Sequence, residues 1–257
     1  MARVTKYGGV VLALAVAVGA SRGAAAADLK SDNFDGGSLD PVWNVQNPNN
    51  ADWAVEGGTL RITGEHNSNV WAEDTATRFT QTTSQDFDVE TSALIHYLDA
   101  SVVAGITAYS ATTQDINGRD GEWVTLKLWG RGAAQDNNAV LQYQRRENDD
   151  GAFGYVGTQA DYNPPQGDIP IGLRVRRTGD EYTSWFKPDD AGDWIEVSTV
   201  TSALQNPLEV GIYAGNADGS GGEITAWFNN FAEASDTGGT AVDPKYKTAV
   251  TWGALKR

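Results

Sequence analysis

Short segments that alternate apolar and polar residues run along most of the chain, and this alternation constrains the fold more than any other feature. A period of two places alternate side chains on opposite faces of a β-strand, whereas a helix needs a period near 3.6. Clusters of Gly, Asn, Asp or Pro separate the segments, as turns between strands require. About a dozen such strands predict an all-β sandwich or barrel. The predicted strands are 53–55, 59–63, 72–79, 87–96, 103–110, 123–129, 140–146, 172–178, 181–187, 194–200, 208–214 and 223–231.

The first 27 residues have the features of a removable secretory signal. Arg3 and Lys6 precede the apolar run VVLALAVAVGA, and small residues suited to cleavage near Ala26 or Ala27 follow it. The run is too short to span a bilayer comfortably, and no later segment is apolar enough to do so. We therefore expect a secreted, periplasmic or cell-surface protein that consists of a signal at 1–27, one β-sandwich domain at 28–236 and a linker with a C-terminal tail at 237–257.

Composition excludes several classes of function. The formal net charge of −15 at pH 7 argues against binding to nucleic acid or anionic lipid, because both ligands are negatively charged. The absence of cysteine excludes disulfides, thiolate metal sites and cysteine nucleophiles. His66 and His96 are the two histidines and lack ligand spacing, so a multi-histidine zinc site is excluded as well.

An acidic cluster at 188–193, PDDAGD, lies between two predicted strands. Proline, aspartate and glycine occupy the positions that a turn favours, and the twelve-residue spacing and closing Glu of a helix-loop-helix calcium site are absent. The sequence therefore predicts a three-strand meander over 172–200, in which this cluster is a connection and not a site of chemistry.

Several turn and core motifs resemble the concanavalin A-like lectin/glucanase superfamily. More narrowly, they are similar to the domain at the C-terminus of β-xylosidases and to its free-standing relatives of the DUF1349 kind. The motifs are DNFDGGSLDPVW at 32–43, WAVEGGTLRI at 53–62, the Arg-x-x-Gly-Asp turn at 176–180, VGIYAGN at 210–216 and WFNNF at 227–231. The resemblance implies a jelly-roll sandwich of two curved antiparallel sheets, with 32–34 beside 226–231. It also implies that the concave sheet is where sugar binds in many members, some of which are enzymes.

Aromatic residues on alternating strand faces are candidates for sugar binding. A sandwich core does not need 9 Trp, 9 Tyr and 7 Phe, and exposed rings in a groove can stack on pyranose rings. The alternative is that these rings fill the space between the sheets and that the neighbouring cations are solvated. The candidates for one groove are Lys127, Trp129, Tyr143, Arg145 and Tyr213, with Trp185 and Tyr109 as further members.

Three carboxylates alternate with apolar residues in the segment DFDVE, at Asp86, Asp88 and Glu90. Same-face residues lie about 6.6–7 Å apart along a strand, within the range of carboxylate separations that glycosidases use. The glucanases of the resembling superfamily carry Glu-x-Asp-x-Glu in such a strand. Here the first position is Asp86, which is one methylene shorter. An acidic outer strand face without any site is the alternative.

The sequence indicates no required cofactor, and a structural calcium ion is the one metal that we consider. The resemblance implies an ion near the edge where the first and last strands pair, and oxygen ligands suit calcium. The candidate ligands are Asp32, Asp35, Asn229 and Asn230. The same residue types also suit plain turns.

Three hypotheses of function follow. The first is a non-catalytic, lectin-like protein whose partner is a polysaccharide or glycan. The second is a glycoside hydrolase that acts on β-glycans through Asp86 and Glu90. The third is a structural surface or assembly protein in which the basic tail at 238–257 contacts a protein partner.

Overall fold

The computed structural model describes residues 28–64, 68–70, 74–97, 102–114, 120–130, 138–146, 155–159, 161–216 and 224–234. The predicted signal at 1–27 and the tail at 237–257 lie outside these ranges. No helix that could cross a membrane occurs in the described part of the chain. The strands within these ranges are β1 Asn44–Gln46, β2 Ala51–Glu56, β3 Thr59–Gly64, β4 Thr77–Thr83, β5 Phe87–Tyr97, β6 Val102–Gln114, β7 Asp120–Gly130, β8 Ala139–Arg146, β9 Tyr155–Gln159, β10 Gly167–Thr178, β11 Glu181–Pro188, β12 Ile195–Thr201, β13 Leu208–Asn216, β14 Ile224–Phe228 and β15 Ala232–Glu233.

Two large antiparallel sheets form the domain. The seven-stranded sheet has the order β1-β4-β13-β6-β7-β8-β9. The eight-stranded sheet has the order β12-β11-β10-β5-β14-β3-β2, and β15 also pairs with β5. One face of each sheet is apolar and buried, so the two faces pack together as a single core. These features confirm the predicted all-β jelly-roll sandwich. Residues that represent the core are Phe79, Ile106, Leu126 and Ile212 of the first sheet and Leu60, Val89, Leu173 and Phe228 of the second.

The start and the end of the described domain are joined at Asp32 and Phe231. Each of the two residues donates its backbone N–H to the other's carbonyl at 2.8 Å. The carboxylate of Asp32 also accepts hydrogen bonds from the Phe34 N–H at 2.7 Å and from the Trp43 indole N–H at 2.8 Å. The Trp43 ring packs against Phe34 and Phe231, with centroids 5.9 and 5.1 Å away. The predicted pairing of residues near 32–34 with 226–231 is therefore confirmed.

Most predicted strands are present, and the differences have local causes. The segment predicted as a strand over 72–79 becomes β4, which begins at Thr77. Strands β1, β9 and β15 were not predicted. Strands β1 and β15 have three and two residues, too few to show alternation, and the YVGTQ of β9 contains a central glycine. Strands β1 and β9 lie at sheet edges, where pairing on one side is sufficient.

The predicted meander over 172–200 is formed by β10, β11 and β12. In the connection after Pro188, Asp189 and Asp190 have φ angles of 54° and 51°, and Gly192 has a φ of 78°. Aspartate and glycine are the residues that tolerate this left-handed region most readily. The interpretation of the acidic cluster as a turn is confirmed, although the Asp190 side chain also reaches the adjacent sheet surface.

The closure at Asp32 predicts a measurable loss of stability when its carboxylate is removed. We expect Asp32→Ala to lower the free energy of unfolding by about 2 kcal/mol, because two hydrogen bonds to a charged acceptor are lost. Asp161→Ala, which removes an exposed carboxylate, is the matched control and is expected to stay within about 0.5 kcal/mol of the parent protein. Urea denaturation measures both values. Equal effects of the two substitutions would show that the closure contributes nothing particular.

Candidate functional site

The outer face of the seven-stranded sheet is built by in-register pairing. In β7, Val124, Leu126 and Leu128 point into the core, as the alternation predicts. Their neighbours Trp123, Thr125, Lys127 and Trp129 therefore face outward. The pairing of β7 with β6 and β8 then decides which side chains of those strands join them.

The register places two predicted site residues on the opposite face. Tyr143 pairs with Leu126 and Arg145 pairs with Val124, so both lie on the core side of β8. The Tyr143 side chain is fully buried, and its hydroxyl donates to the Tyr182 carbonyl at 2.8 Å. Tyr143 and Arg145 therefore do not share a groove with Lys127 and Trp129, because alternation within each strand leaves the relative phase of β7 and β8 undetermined.

Three parallel rows of side chains cross the outer face. The central row is short, with threonine or glycine on four successive strands. Rows of mostly larger residues run on each side, and nearly all side chains of the three rows are buried. The three rows together are here called the Thr125 groove. The central row is Thr80, Gly211, Thr107, Thr125 and Gln144, and the flanking rows are Arg78, Tyr213, Gly105, Lys127 and Gln142 on one side and Glu209, Tyr109, Trp123 and Arg146 on the other.

The predicted residues Lys127, Tyr213 and Tyr109 thus lie together, with Trp129 one same-face position beyond Lys127. Arg78, Trp123, Gln142, Gln144 and Arg146 were not among the predicted site residues. The alternation of β8 placed Gln142, Gln144 and Arg146 on one face, but no local signal showed that this face is the one shared with Lys127.

Aromatic rings and cations form the walls of the Thr125 groove. The Lys127 ammonium and the Arg146 guanidinium lie 5.7 and 5.8 Å from the Trp123 ring centroid. The Arg78 guanidinium lies 3.9 Å from the Tyr109 ring centroid and pairs with Asp74 and Glu209, each at 2.8 Å. Contacts between cations and rings of this kind hold the long side chains in fixed positions.

Burial changes the ionisation of the groove. Lys127 is 2% exposed, and burial lowers its pKa to about 7. Burial also raises the pKa of the Tyr213 hydroxyl, and a contact with Thr125 opposes part of that rise. Near neutral pH, the lysine is therefore close to the point at which it loses its charge and becomes a hydrogen-bond acceptor as well as a donor.

The central row of the groove contains two buried hydroxyls without a hydrogen-bond partner among the described residues. They are the side-chain oxygens of Thr80 and Thr107. Buried polar atoms are nearly always paired, so these two are exceptions. Because both oxygens are buried, a ligand outside the sheet cannot contact them in this arrangement of the face.

Trp129 differs from the other residues of the groove because it is only partly buried. It packs against the apolar cluster of Val70, Val103 and Tyr213 at the end of β7. The predicted stacking residue is therefore located at one end of the groove and not on its floor.

Trp185 lies on the other sheet. On the outer face of the eight-stranded sheet, the guanidinium groups of Arg174 and Arg176 lie 5.2 and 4.9 Å from its ring centroid. This face is separated from the Thr125 groove by both sheets and the core between them. Trp185 therefore cannot contribute to the same groove as Lys127.

The three predicted carboxylates are associated with this second face. Asp88 accepts two hydrogen bonds from Arg174, at 2.7 and 2.5 Å. Asp86 precedes β5 and accepts a hydrogen bond from the Gly179 N–H at 2.8 Å. Glu90 has no hydrogen bond or ion pair to described residues, and burial raises its pKa even though Lys187 and Arg174 oppose the shift.

The candidate calcium ligands already have other hydrogen-bond partners. Both Asp32 oxygens accept hydrogen bonds, as described above, and the Asn230 side-chain oxygen accepts one from the Ser92 N–H at 2.8 Å. Asn229 donates its side-chain amide to the Ser92 hydroxyl at 3.0 Å. Among the described residues, no group of three or more His, Cys, Asp or Glu is arranged to hold a metal ion. The calcium site stays a prediction.

Comparison with known proteins gives one family and a consistent fold. A family model described as the β-xylosidase C-terminal concanavalin A-like domain matches residues 31–232. A GH43 protein from Bacillus licheniformis is 16% identical with a TM-score of 0.60, over 79% of this chain and 38% of that one. A xylan β-1,4-xylosidase from Bacillus halodurans is 17% identical with a TM-score of 0.57, over 80% and 39%.

A third solved structure covers nearly the whole of its own chain. It is a functionally unknown protein from Saccharomyces cerevisiae, 16% identical with a TM-score of 0.51, over 75% of this chain and 95% of that one. In contrast, this chain matches only about two fifths of the length of the two Bacillus proteins. No curated protein matches the chain.

The core position of Tyr143 predicts an effect on stability and not on binding. We expect Tyr143→Phe to lower the free energy of unfolding by about 1–2 kcal/mol, because the buried Tyr182 carbonyl loses its donor. Urea denaturation measures the loss, and retention on glycan affinity gels is expected to stay unchanged. Weaker retention with unchanged stability would instead assign Tyr143 to the ligand site.

The lowered pKa of Lys127 predicts that its cost to the fold depends on pH. The unfolded lysine titrates near 10.5 and the folded one near 7, so the unfolded state binds more protons between these values. The stability difference between the parent protein and Lys127→Met should therefore shift in favour of the parent protein as pH rises from 7 to 9, by at most about 1.4 kcal/mol per pH unit.

Urea denaturation at pH 7, 8 and 9 measures this shift. Lys30→Met, which removes an exposed lysine, is the control and should show no such trend. A difference that is independent of pH for Lys127→Met would mean that the ammonium keeps its charge in the fold.

Proposed function

Because the chain belongs to the family of β-xylosidase C-terminal concanavalin A-like domains, we propose that it binds carbohydrate without hydrolysing it. The proposed site is the Thr125 groove, with Lys127, Gln142 and Trp129 as its main contacts. Tyr213 and Tyr109 form parts of its walls. The exported location predicted from residues 1–27 stays a prediction, since those residues lie outside the described ranges.

The partly exposed indole of Trp129 is the observation that carries the proposal, because it is the aromatic side chain of this face that a ligand can reach. It lies one same-face position from Lys127, which pairs with Gln142 on the next strand. Sugar rings pack on exposed aromatic surfaces, and their hydroxyls both donate and accept hydrogen bonds, which matches an indole beside an amide.

The walls and the end of the groove fit the same ligand class. Gln142 offers both a donor and an acceptor, and Lys127 near its pKa offers either. Trp129, partly buried at the end of β7, supplies an aromatic surface for a second sugar ring. The residues that pair with Lys127 on the neighbouring strands, Gly105 and Gln142, are both neutral.

Hydrolysis through Asp86 and Glu90 is the second candidate. Of the three carboxylates, Glu90 has the raised pKa that a general acid requires. Asp86 accepts a hydrogen bond from Gly179 and Asp88 accepts hydrogen bonds from Arg174. Both carboxylates that would act as a nucleophile beside Glu90 are therefore already hydrogen-bonded. Release of reducing ends from xylan or β-glucan, lost in Glu90→Gln, would favour this candidate over binding alone.

A structural role in surface assembly is the third candidate. It depends on the tail at 238–257, which lies outside the described residues. Assembly that fails when this tail is removed, with glycan binding unaffected in the remaining domain, would favour this role.

Binding to xylo-oligosaccharides and a panel of soluble polysaccharides tests the proposed function. We expect Gln142→Leu and Trp129→Ala each to weaken binding of the best ligand about tenfold, equivalent to about 1.4 kcal/mol. Gln166→Leu is the matched control, because it alters an exposed amide just before β10 of the other sheet. Unchanged affinity in both groove variants, with affinity gels or calorimetry, would reject the Thr125 groove as the site.

A further inference from the structure

A second group of chemically varied side chains lies on the outer face of the eight-stranded sheet. It forms where the connection between β11 and β12 folds back over β10. The group consists of Glu90, Ser92, Gly172, Lys187, Asp190 and Trp194 and is here called the Gly172 cluster. All of its strand members occupy neighbouring positions, since Gly172 pairs with Ser92 on one side and with Lys187 on the other.

Gly172 is the floor of this cluster, and Asp190 and Trp194 lie over the position where other residues carry a Cβ. A Cβ at this position would lie 2.9 Å from an Asp190 carboxylate oxygen and 3.5 Å from the Trp194 ring. The missing side chain therefore allows both residues to pack directly over the strand. The left-handed φ of 51° at Asp190 is part of the same arrangement, since it lets the connection turn back toward the sheet.

Asp190 and Trp194 are held in place by their neighbours. The Asp190 carboxylate accepts a hydrogen bond from the Ser92 hydroxyl, which also accepts one from the Asn229 amide at 3.0 Å. The Lys187 ammonium lies 4.3 Å from the Trp194 ring centroid. A cation at this distance fixes both the ring and the lysine chain.

Glu90 completes the cluster as an acceptor without a described partner. It lies one same-face position from Ser92 on β5, about 6.6–7 Å along the strand, and pairs with Arg174. Arg174 directs its guanidinium to Asp88 instead, so no described hydrogen bond or ion pair of 4 Å or less satisfies Glu90. Burial is the main cause of its raised pKa, with the charges of Asp88 and Asp190 acting in the same direction.

The chemistry of the cluster favours a neutral polyhydroxyl ligand. The Glu90 and Asp190 carboxylates accept hydrogen bonds from hydroxyls, and the Lys187 ammonium donates to them. Two carboxylates against one ammonium disfavour an anionic ligand, because the charges would repel it. The indole of Trp194, partly exposed, adds the apolar surface that a sugar ring can cover.

We propose that the Gly172 cluster is a second sugar-binding site, independent of the Thr125 groove and on the opposite outer face of the sandwich. The two sheets and the core separate the sites, so one sugar residue cannot contact both. The domain is therefore bivalent and holds two polysaccharide chains, or two segments of one chain, at once. Bivalent attachment raises retention on a polymer well above the affinity of either site.

The choice of a sugar probe rests on the proposed function, but the location of the site does not. Calorimetry with xylohexaose, or with the best oligosaccharide from a glycan array, counts the sites on four proteins. These are the parent protein, the groove variant Gln142→Leu, the cluster variant Glu90→Gln with Lys187→Met, and the protein that combines all three changes. Glu196→Gln with Lys30→Met, at exposed positions, is the charge-matched control for the cluster variant.

We expect two sites per chain in the parent protein and in the control, and one in the cluster variant. Gln142→Leu should keep both sites with one of them weakened about tenfold, and the combined protein should keep only that weakened site. Retention on insoluble polysaccharide should fall at least tenfold in the cluster variant, as avidity is lost. If the cluster variant and the control have similar Tm values, a folding defect is excluded as the cause of the lost binding.

The outcomes separate the two proposals. A cluster variant that matches the control on every glycan, in both stoichiometry and retention, overturns the second site and leaves the Thr125 groove intact. Loss of binding in the cluster variant alone, with Gln142→Leu unchanged, supports the second site and rejects the groove. No binding of any glycan by the parent protein overturns both.

Discussion

The register between neighbouring strands is the constraint on which the rest of this structure depends. A strand presents alternate side chains to opposite faces, so a shift of one residue exchanges the core face for the outer face. The pairing of Leu126 with Tyr143 brings Tyr143 into the core, and the pairing of Lys127 with Gln142 brings that amide to the outer face. The rows of the Thr125 groove exist because β4, β13, β6, β7 and β8 keep this phase across five strands.

The charged side chains of the two outer faces differ in their burial and in their partners. On the seven-stranded sheet, polar side chains are almost completely buried, and Arg78 is held there by Asp74 and Glu209. On the eight-stranded sheet, charges stay partly exposed, and Arg174 is divided between Asp88 and the Trp185 ring. The first arrangement leaves buried hydroxyls without a partner in the part of the chain that the structure describes, whereas the second leaves one carboxylate, Glu90, without a described hydrogen bond. Glu90 is partly exposed, so a polyhydroxyl ligand can reach it, whereas the hydroxyls of the first face are closed off.

The connection between β11 and β12 shows how a turn can also shape a surface. Its aspartates and glycine have the backbone angles that the chain reversal requires. The same reversal carries Asp190 and Trp194 over Gly172, where an added Cβ would lie 2.9 Å from an Asp190 carboxylate oxygen. The turn residues therefore explain the backbone path of this connection. The positions of the Asp190 and Trp194 side chains depend instead on contacts with β5 and β10.

The sequence by itself determined the all-β class and the main strands, because local alternation and turn residues can be read along one segment. The closure of the first against the last segment came from the family resemblance, carried by motifs such as WFNNF at 227–231. The sequence also grouped Lys127, Trp129, Tyr213 and Tyr109, which the structure places on one face, and their role in sugar binding stays a prediction. It separated the two faces of β8 correctly but joined the wrong one to β7, and it grouped Trp185 with residues of the other sheet.

Tertiary structure alone decided the phase between strands, the sheet to which each strand belongs, and the burial of Lys127. The physical reason is that alternation is a property of one strand, whereas register, sheet membership and desolvation arise from packing between segments distant in sequence.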